Sequence, residues 1–252
     1  RDFYLKISDE LYLKRLIIGG FEKVYEIDHD FRNEGIDATH NPEFTMMECY
    51  WAYADYKDMM NLTEEIYSEV AKKILKTTKV EYNGYKIDLK TPWERMTMFE
   101  TIKKHLGVDV EKLTDEELKK EVVKRKLEMG KRGGKFNRGL TIVSLFETVE
   151  EKLVDPVFIT DFPKETTSLC KLHRDNPELI ERFEPYIGGK EVGNAYTELN
   201  DPDLQRHFFE EEVSAKKGGD GETHPLDNDF LEAMEYGMPP TGGLGLGIDR
   251  MV

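Results

Sequence analysis

Phe31-Arg32-Asn33-Glu34-Gly35, followed by His40-Asn41-Pro42-Glu43-Phe44-Thr45, is the stretch whose reading decides the fold. Its glycine, asparagines and proline mark a loop that presents an arginine, a carboxylate and a histidine. From Phe44 to Tyr53 the pattern becomes that of a strand. Phe44, Met46, Glu48 and Tyr50 fall on one face, and Thr45, Met47, Cys49 and Trp51 on the other. Bulky apolar groups on both faces predict a central strand. A carboxylate there is buried, at a cost of several kcal/mol unless it meets a cation.

A second strand, Lys190 to Leu199, repeats the design, with Asn194, Tyr196 and Glu198 on one face. Gly188-Gly189 suits a two-residue hairpin turn joining it to a strand over Arg182 to Ile187. Pairing through that turn sets Ile187 opposite Lys190, Tyr186 opposite Glu191 and Glu184 opposite Gly193. Glu184 and Glu191 then become diagonal neighbours on one face, a spacing that can hold a hard cation such as Mg²⁺ against phosphate oxygens. Glu191 and Asn194 differ by three positions, so a regular strand sends them to opposite faces. If both serve one site, a bulge is expected at Gly193. The chain closes on Gly242-Gly243-Leu244-Gly245-Leu246-Gly247-Ile248-Asp249-Arg250, glycines that admit close backbone approach and an arginine at a helix start. A cation for phosphate or carboxylate, an aromatic plate for a base and a carboxylate for an amine suit an enzyme that activates a carboxylic acid with a nucleotide.

Working outward, residues 9 to 18 read as a helix and Lys23 to Ile27 as a short strand. Tyr56 to Lys76 is an amphipathic helix with Leu62, Ile66, Val70 and Ile74 recurring every four residues. Val80 to Leu89 is a hairpin around Asn83-Gly84. Residues 91 to 155 read as a small helical insertion. It contains a capping box from Thr114 to Glu117, a staple of Leu113 on Leu118, and a helix from Leu140 to Val154. Strands resume at Val157 to Thr160, a helix carries Leu204, Phe208 and Phe209, and Lys216 to Thr223 is a loop. The expected fold is α+β, a mostly antiparallel sheet flanked by helices, in three parts at residues 1–90, 91–155 and 156–252.

The 252 residues are 35% charged and 38% hydrophobic, enough for a sizeable core. A net charge of −15 argues against a surface built broadly for nucleic acid, without excluding a local basic face. Lys119 to Arg138, nine Lys or Arg against two Glu, reads as a solvated helical face. No apolar run approaches a membrane span and no signal peptide is evident. Cys49 and Cys170 form neither a disulfide framework nor a zinc spacing, so a cytoplasmic setting is expected. Arg1 and Met251-Val252 do not look like natural termini, and the chain reads as part of a longer protein.

The motifs quoted resemble the catalytic domain of class II aminoacyl-tRNA synthetases, most closely the lysine enzymes. FRNEG with HNPEFTMMECYWAYADY is similar to motif 2, GGLGLGIDR to motif 3, and RFEPYIGGKEVGNAYTELNDP to the segment between them. The resemblance implies ATP-dependent formation of lysyl-adenylate and transfer to tRNA(Lys), with Mg²⁺ and a homodimeric full-length protein. It implies that Arg32 bridges the amino-acid carboxylate and the α-phosphate, with Arg250 the second catalytic cation. Phe44 would stack on adenine with Arg250 on its other side, and Glu34, His40, Asn41, Glu191 and Gly247 would contact ATP. Glu184 and Glu191 match the metal acids. Glu10 would hold the α-ammonium of lysine and Asn194 its carboxylate. Glu48, Tyr50 and Glu198 would take the side-chain ammonium, and Tyr196 would line the pocket.

Two departures accompany the resemblance. Thr39 stands where many members carry arginine. Motif 1, the anticodon-binding barrel and the last strand and helix are not in this stretch. The rival readings are a lysine-to-protein ligase, whose members tend to carry alanine at the position of Gly245, and a non-catalytic paralogue, which usually loses motif arginines or metal acids retained here.

Overall fold

The computed structural model describes residues 4–37, 40–217 and 226–252. Thr39 and residues 218–223 of the loop expected from Lys216 to Thr223 lie outside the described residues, while Lys216 and Lys217 belong to a helix. Helix α1 (Glu10–Ile18) precedes β1 (Lys23–Phe31), the arginine loop and β2 (Glu43–Ala52). Helix α2 (Tyr56–Leu75) leads to a hairpin of β3 (Lys79–Tyr82) and β4 (Tyr85–Asp88). Then come β5 (Glu94–Thr97), α3 (Met98–Leu106), α4 (Asp115–Lys124), the ribbon β6 (Lys131–Arg132) and β7 (Lys135–Phe136), and α5 (Arg138–Glu147). The chain continues through β8 (Val157–Pro163), β9 (Leu179–Ile187), β10 (Lys190–Glu191), β11 (Gly193–Thr197), α6 (Pro202–Lys217) and α7 (Asn228–Glu235). It ends on β12 (Thr241–Gly247) and α8 (Ile248–Met251).

The main sheet runs β1-β2-β12-β11-β9-β8-β5, with β10 also on β9. Every pair is antiparallel except the edge pair of β5 with β8. This is the α+β sheet read from the sequence, with β2 and β11 both interior. On one face α2 packs Met59, Tyr67 and Ala71 against Met47, Leu244, Ala195 and Phe183. On the other, α3 and α5 place Ile102, Leu145 and Phe146 over Ile159, Ile180 and Tyr186. There too α1 lays Leu13 and Ile17 on Tyr50 and Ala52.

Four expectations change. Strand β1 runs on to Phe31 because it pairs with β2 residue for residue, from Lys23↔Trp51 to Phe31↔Glu43. Glu94–Thr97, inside the stretch read as a helical insertion, is a strand of the main sheet. Helix α5 stops at Glu147 instead of Val154, and the chain turns so that the carbonyls of Leu153 and Val154 accept from Gly189 and Gly188. That anchors the turn of the β9–β10 hairpin, where both glycines have positive φ (62° and 74°), as a type I′ turn requires. Finally, the aliphatic stripe of α2 is not its core face. Steps of four residues drift about 40° each around a helix of 3.6 residues per turn. Leu62 is half-buried, whereas Ile74, three steps on, is 72% exposed.

The break expected at Gly193 is present. Strand β10 follows the hairpin register, Lys190↔Ile187 and Glu191↔Tyr186, and the Val192 amide still donates to the Pro185 carbonyl at 2.9 Å. Strand β11 then pairs Ala195 with Phe183 and Tyr196 with Arg182. The hairpin register would have set Ala195 opposite Arg182, so one extra residue has entered between Val192 and Ala195. The pairing of Glu184 with Gly193 expected from the sequence is displaced by that residue. A Cβ on Gly193 would stand 2.6 Å from Leu246 Cδ2 and 2.7 Å from the Gly245 carbonyl oxygen, and the latter is sheet backbone. Gly193→Ala should therefore destabilise the fold by about 1–3 kcal/mol. An unchanged urea or thermal midpoint would contradict this account of the bulge.

Candidate active site

Strand β12 joins the two polar-aromatic faces. Glu48 lies across Gly245 from Asn194, and Tyr50 lies across Gly243 from Tyr196. Partners in a ladder face the same way, so all four side chains rise from one face, astride a strand that contributes none. Neighbouring strands lie about 4.8 Å apart, so β2 and β11 stand roughly 10 Å apart and the glycines form the floor of a trough. Glu198, just past β11, is anchored by donating its amide to the Thr241 carbonyl at 2.8 Å. A Cβ on Gly243 would come within 2.6 Å of the Tyr50 ring and 2.9 Å of the Glu198 carboxyl carbon. The glycine is what leaves room for both.

Helix α1 closes this trough. The Ser8 hydroxyl (2.9 Å), the Asp9 amide (3.3 Å) and the Tyr50 hydroxyl (2.9 Å) all donate to Glu48. Lys14, fully buried, sets its Nζ 2.6 Å from Glu10 Oε1 and in contact with Glu198 Oε2. Burial, then the charge of Glu10, pushes the Glu48 carboxyl up to about 7, against the Ser8 and Tyr50 hydrogen bonds. Burial raises Glu198 to about 8, with Lys14 opposing and Glu10 and Glu48 adding. Burial alone would lower the Lys14 ammonium, but Glu10 and Glu198 outweigh it and hold it raised. The trough is a buried acidic site held by one internal cation.

Beside the trough, a cavity of about 1140 Å³ gathers every residue expected to contact ATP: Arg32, Glu34, His40, Asn41, Phe44, Glu191, Gly247 and Arg250. Asn194 lines it too, so trough and cavity adjoin. Arg32 is placed by its amide on the Pro42 carbonyl (2.9 Å) and its Nε on the Ile7 carbonyl (3.1 Å), with its guanidinium 5.0 Å from the Phe44 ring centre. His40 closes its loop on Asp37, and the Asn41 amide donates to the Glu43 carbonyl at 2.8 Å. Arg250 donates to the Glu191 carbonyl at 2.7 Å and lies 3.4 Å from its carboxylate.

Glu184 and Glu191 fall close together. Burial and then the charge of Glu184 raise Glu191 to about 7, the strain expected of two carboxylates that a cation would relieve. Among the described residues, no group of three or more His, Cys, Asp or Glu could hold a metal alone. The pair fits a divalent ion that draws its remaining ligands from phosphate and water.

Two residues of the site were not read from the sequence. Lys14 follows Glu10 by four positions on a helix and sits among Leu13 and Ile17, the available signal for an inward lysine. Arg182 is the second. Its Nε donates to Asn194 Oδ1 at 3.0 Å, its NH2 contacts Glu184, and its guanidinium lies 4.6 Å from the Phe162 ring centre and 5.8 Å from that of Tyr196. Asn194 in turn donates to the Tyr196 hydroxyl.

A mostly antiparallel sheet with an arginine loop before one interior strand, and a glycine strand leading into a helix that carries Arg250, is the arrangement of class II synthetases. The family described as tRNA synthetases class II (D, K and N) matches residues 1–252, and the chain belongs to it. Among curated relatives, the lysine--tRNA ligase of Saccharolobus solfataricus is 56% identical over 252 residues, covering 100% of this chain and 51% of the relative. Those of Clostridium novyi and Pelotomaculum thermopropionicum are each 52% identical, over 253 and 255 residues, covering 100% of this chain and 50% of each relative. The chain spans about half the length of these relatives.

Arg182 ties the two halves of the site, which gives a stability test. Arg182→Met strands the Glu184 carboxylate and the Asn194 carbonyl and should cost about 3–5 kcal/mol. Arg182→Lys should recover only part of it, because a single ammonium cannot replace the guanidinium fork. Equal unfolding midpoints for Lys and Arg at this position would contradict that geometry.

Proposed function

We propose that the chain is the amino-acid-activating part of a lysine--tRNA ligase, joining lysine to ATP as lysyl-adenylate and passing the lysyl group to tRNA(Lys). The observation that carries this reading is the trough. Glu48 with Tyr50 on one side and Glu198 on the other are suited to a long cationic side chain, and the trough opens toward the nucleotide cavity past Asn194. Names of relatives agree with it. Gly245, where the protein-modifying relatives tend to carry alanine, lies in the floor of the trough between Glu48 and Asn194.

In this reading Glu48, Tyr50 and Glu198 accept from the side-chain ammonium, Glu10 from the α-ammonium, and Asn194 and Arg32 hold the carboxylate. Phe44 supports the adenine, and Glu34, His40, Asn41 and Gly247 position the nucleotide. The lysine carboxylate attacks the α-phosphorus in line and pyrophosphate leaves. No protein nucleophile is required. Catalysis is alignment plus stabilisation of developing negative charge by Arg32 and Arg250. Glu184 and Glu191 would hold Mg²⁺, which neutralises phosphate charge. A homodimer in the cytoplasm completes the proposal. Among the described residues no helix is long and apolar enough to cross a membrane.

Lysine-dependent exchange of pyrophosphate into ATP by the full-length protein tests this directly. Glu198→Gln keeps the volume and removes a charged acceptor, so kcat/KM for lysine should fall roughly a hundredfold or more while the KM for ATP changes little. Exchange driven equally by norleucine would sink the lysine assignment.

The raised carboxyls give a pH dependence. Glu48 and Glu198 bind an ammonium only when ionised, and their protons leave near 7 and 8. The lysine side chain stays charged throughout, since its ordinary pKa is about 10.4. The KM for lysine, at saturating ATP and magnesium, should therefore fall as pH rises from 6 to 8.5. A flat or rising profile would show that these acids do not carry the ammonium.

A further inference from the structure

Two acids expected to meet the two ammonium groups of lysine, Glu10 and Glu198, are joined in the folded chain by a lysine of the protein itself. Lys14 is fully buried, 2.6 Å from Glu10 Oε1 and in contact with Glu198 Oε2. It cannot act as a mobile stand-in that leaves when substrate arrives. Leu13 and Ile17 of the same helix are pinned on Tyr50 and Ala52, so the ammonium is a fixed part of the site. Counted with it, the trough holds three carboxylates, Glu10, Glu48 and Glu198, against one cation.

We propose that Lys14 is a specificity-determining positioning residue that favours the ionised form of Glu198 in the empty trough, and that the ionised trough, three carboxylates against one ammonium, stands two negative charges short of neutral, matched to an amino acid with two ammonium groups. This rests on the lysine reading above. Glu198 is faced by Lys14 and Glu10 from α1, by Glu48 and Tyr50 from β2, and by Cys170, its bridge partner. Lys14 is the only cation among these groups. Without it, burial and two neighbouring carboxylates all favour a proton on Glu198, and a protonated acid offers the incoming ammonium no charge. With it, the ionised form of Glu198 has a partner before substrate binds, and the substrate ammonium meets an anion over a wider range of pH. An amino acid with one ammonium leaves one carboxylate uncompensated, so rejection of uncharged side chains depends on Lys14 as well as on the acids that touch the ligand.

The test uses pyrophosphate exchange by the full-length protein between pH 6 and 8.5. If the parent shows no lysine-dependent exchange, the functional reading fails and the inference falls with it. Given an active parent, Lys14→Met should raise the KM for lysine at least tenfold at pH 7. The pH at which that KM begins to fall should move upward, while the KM for ATP stays within twofold. An unchanged pH profile, or equal rises for lysine and ATP, overturns the proposal. A purely structural role gives the latter. If Lys14→Met does not fold, the double variant Lys14→Met with Glu198→Gln removes both charges of the pair, and Glu198→Gln alone supplies the comparison. A residue that acts through Glu198 makes the double variant no worse than Glu198→Gln for lysine. A further loss of tenfold or more in kcat/KM, or a double variant that also fails to fold, shows that Lys14 has a separate role, and the proposal is wrong.

Discussion

Two carboxylates of the sheet face, Glu48 and Glu198, meet a third, Glu10, carried by the helix above them, and the rest of the site depends on how that charge is tolerated. A buried carboxylate is costly unless paired and hydrogen-bonded. Here Glu48 accepts from Ser8, Asp9 and Tyr50, and Glu198 meets Lys14. The pairing is incomplete, and Glu48 and Glu198 remain at about 7 and 8. That residual strain is a store of affinity for a cation. A pocket neutralised by its own residues would have nothing left to offer an ammonium. A pocket with no internal cation would lose its charge to protons.

Room for this arrangement comes from what β12 lacks. Gly243 and Gly245 face the trough between two strands of large polar side chains, and any Cβ at 243 would meet Tyr50 and Glu198. The other face of the same strand presents Leu244 and Leu246 to the core under α2. One strand therefore alternates glycine and leucine, floor on one side and core on the other. This period is visible in the sequence, and it explains why a glycine-rich segment forms an interior strand despite the usual weakness of glycine in sheets.

The twin faces, the hairpin turn and the break at Gly193 were all legible in the sequence, because each rests on a local rule of parity, turn conformation or spacing. The polar faces of Glu48 and Asn194 could be seen, but the strand that lies between them could not. Strand order is set by packing between segments about 50 to 200 residues apart in the chain, and no local pattern encodes it. The same limit hid the role of Lys14. Lys14 is charged, so composition assigns it to the surface, yet it meets Glu198 from the far end of the sequence; Arg182 had a local signal in Glu184, two residues on along the same strand face, and only its bond to Asn194 crosses strands. The stripe of Leu62 to Ile74 misled for a different reason. Its aliphatic residues repeat at a step slightly longer than the helical turn, so the end of the stripe leaves the core and lines the nucleotide cavity instead.

The extra residue between Val192 and Ala195 has a consequence for chemistry. Glu191 belongs to the hairpin register and Asn194 to the shifted one, so side chains of opposite parity both reach the cavity. A regular strand could turn Glu191 or Asn194 to that face, not both. Arg182 spans the shift, holding Glu184 on its own strand and Asn194 on the next. In the proposed reaction the nucleotide charge and the amino-acid carboxylate would both be referred to one guanidinium on rigid backbone, and their separation would be fixed by the sheet. An in-line attack needs that constancy, because its rate depends on the distance between the two reacting groups more than on the strength with which either is bound.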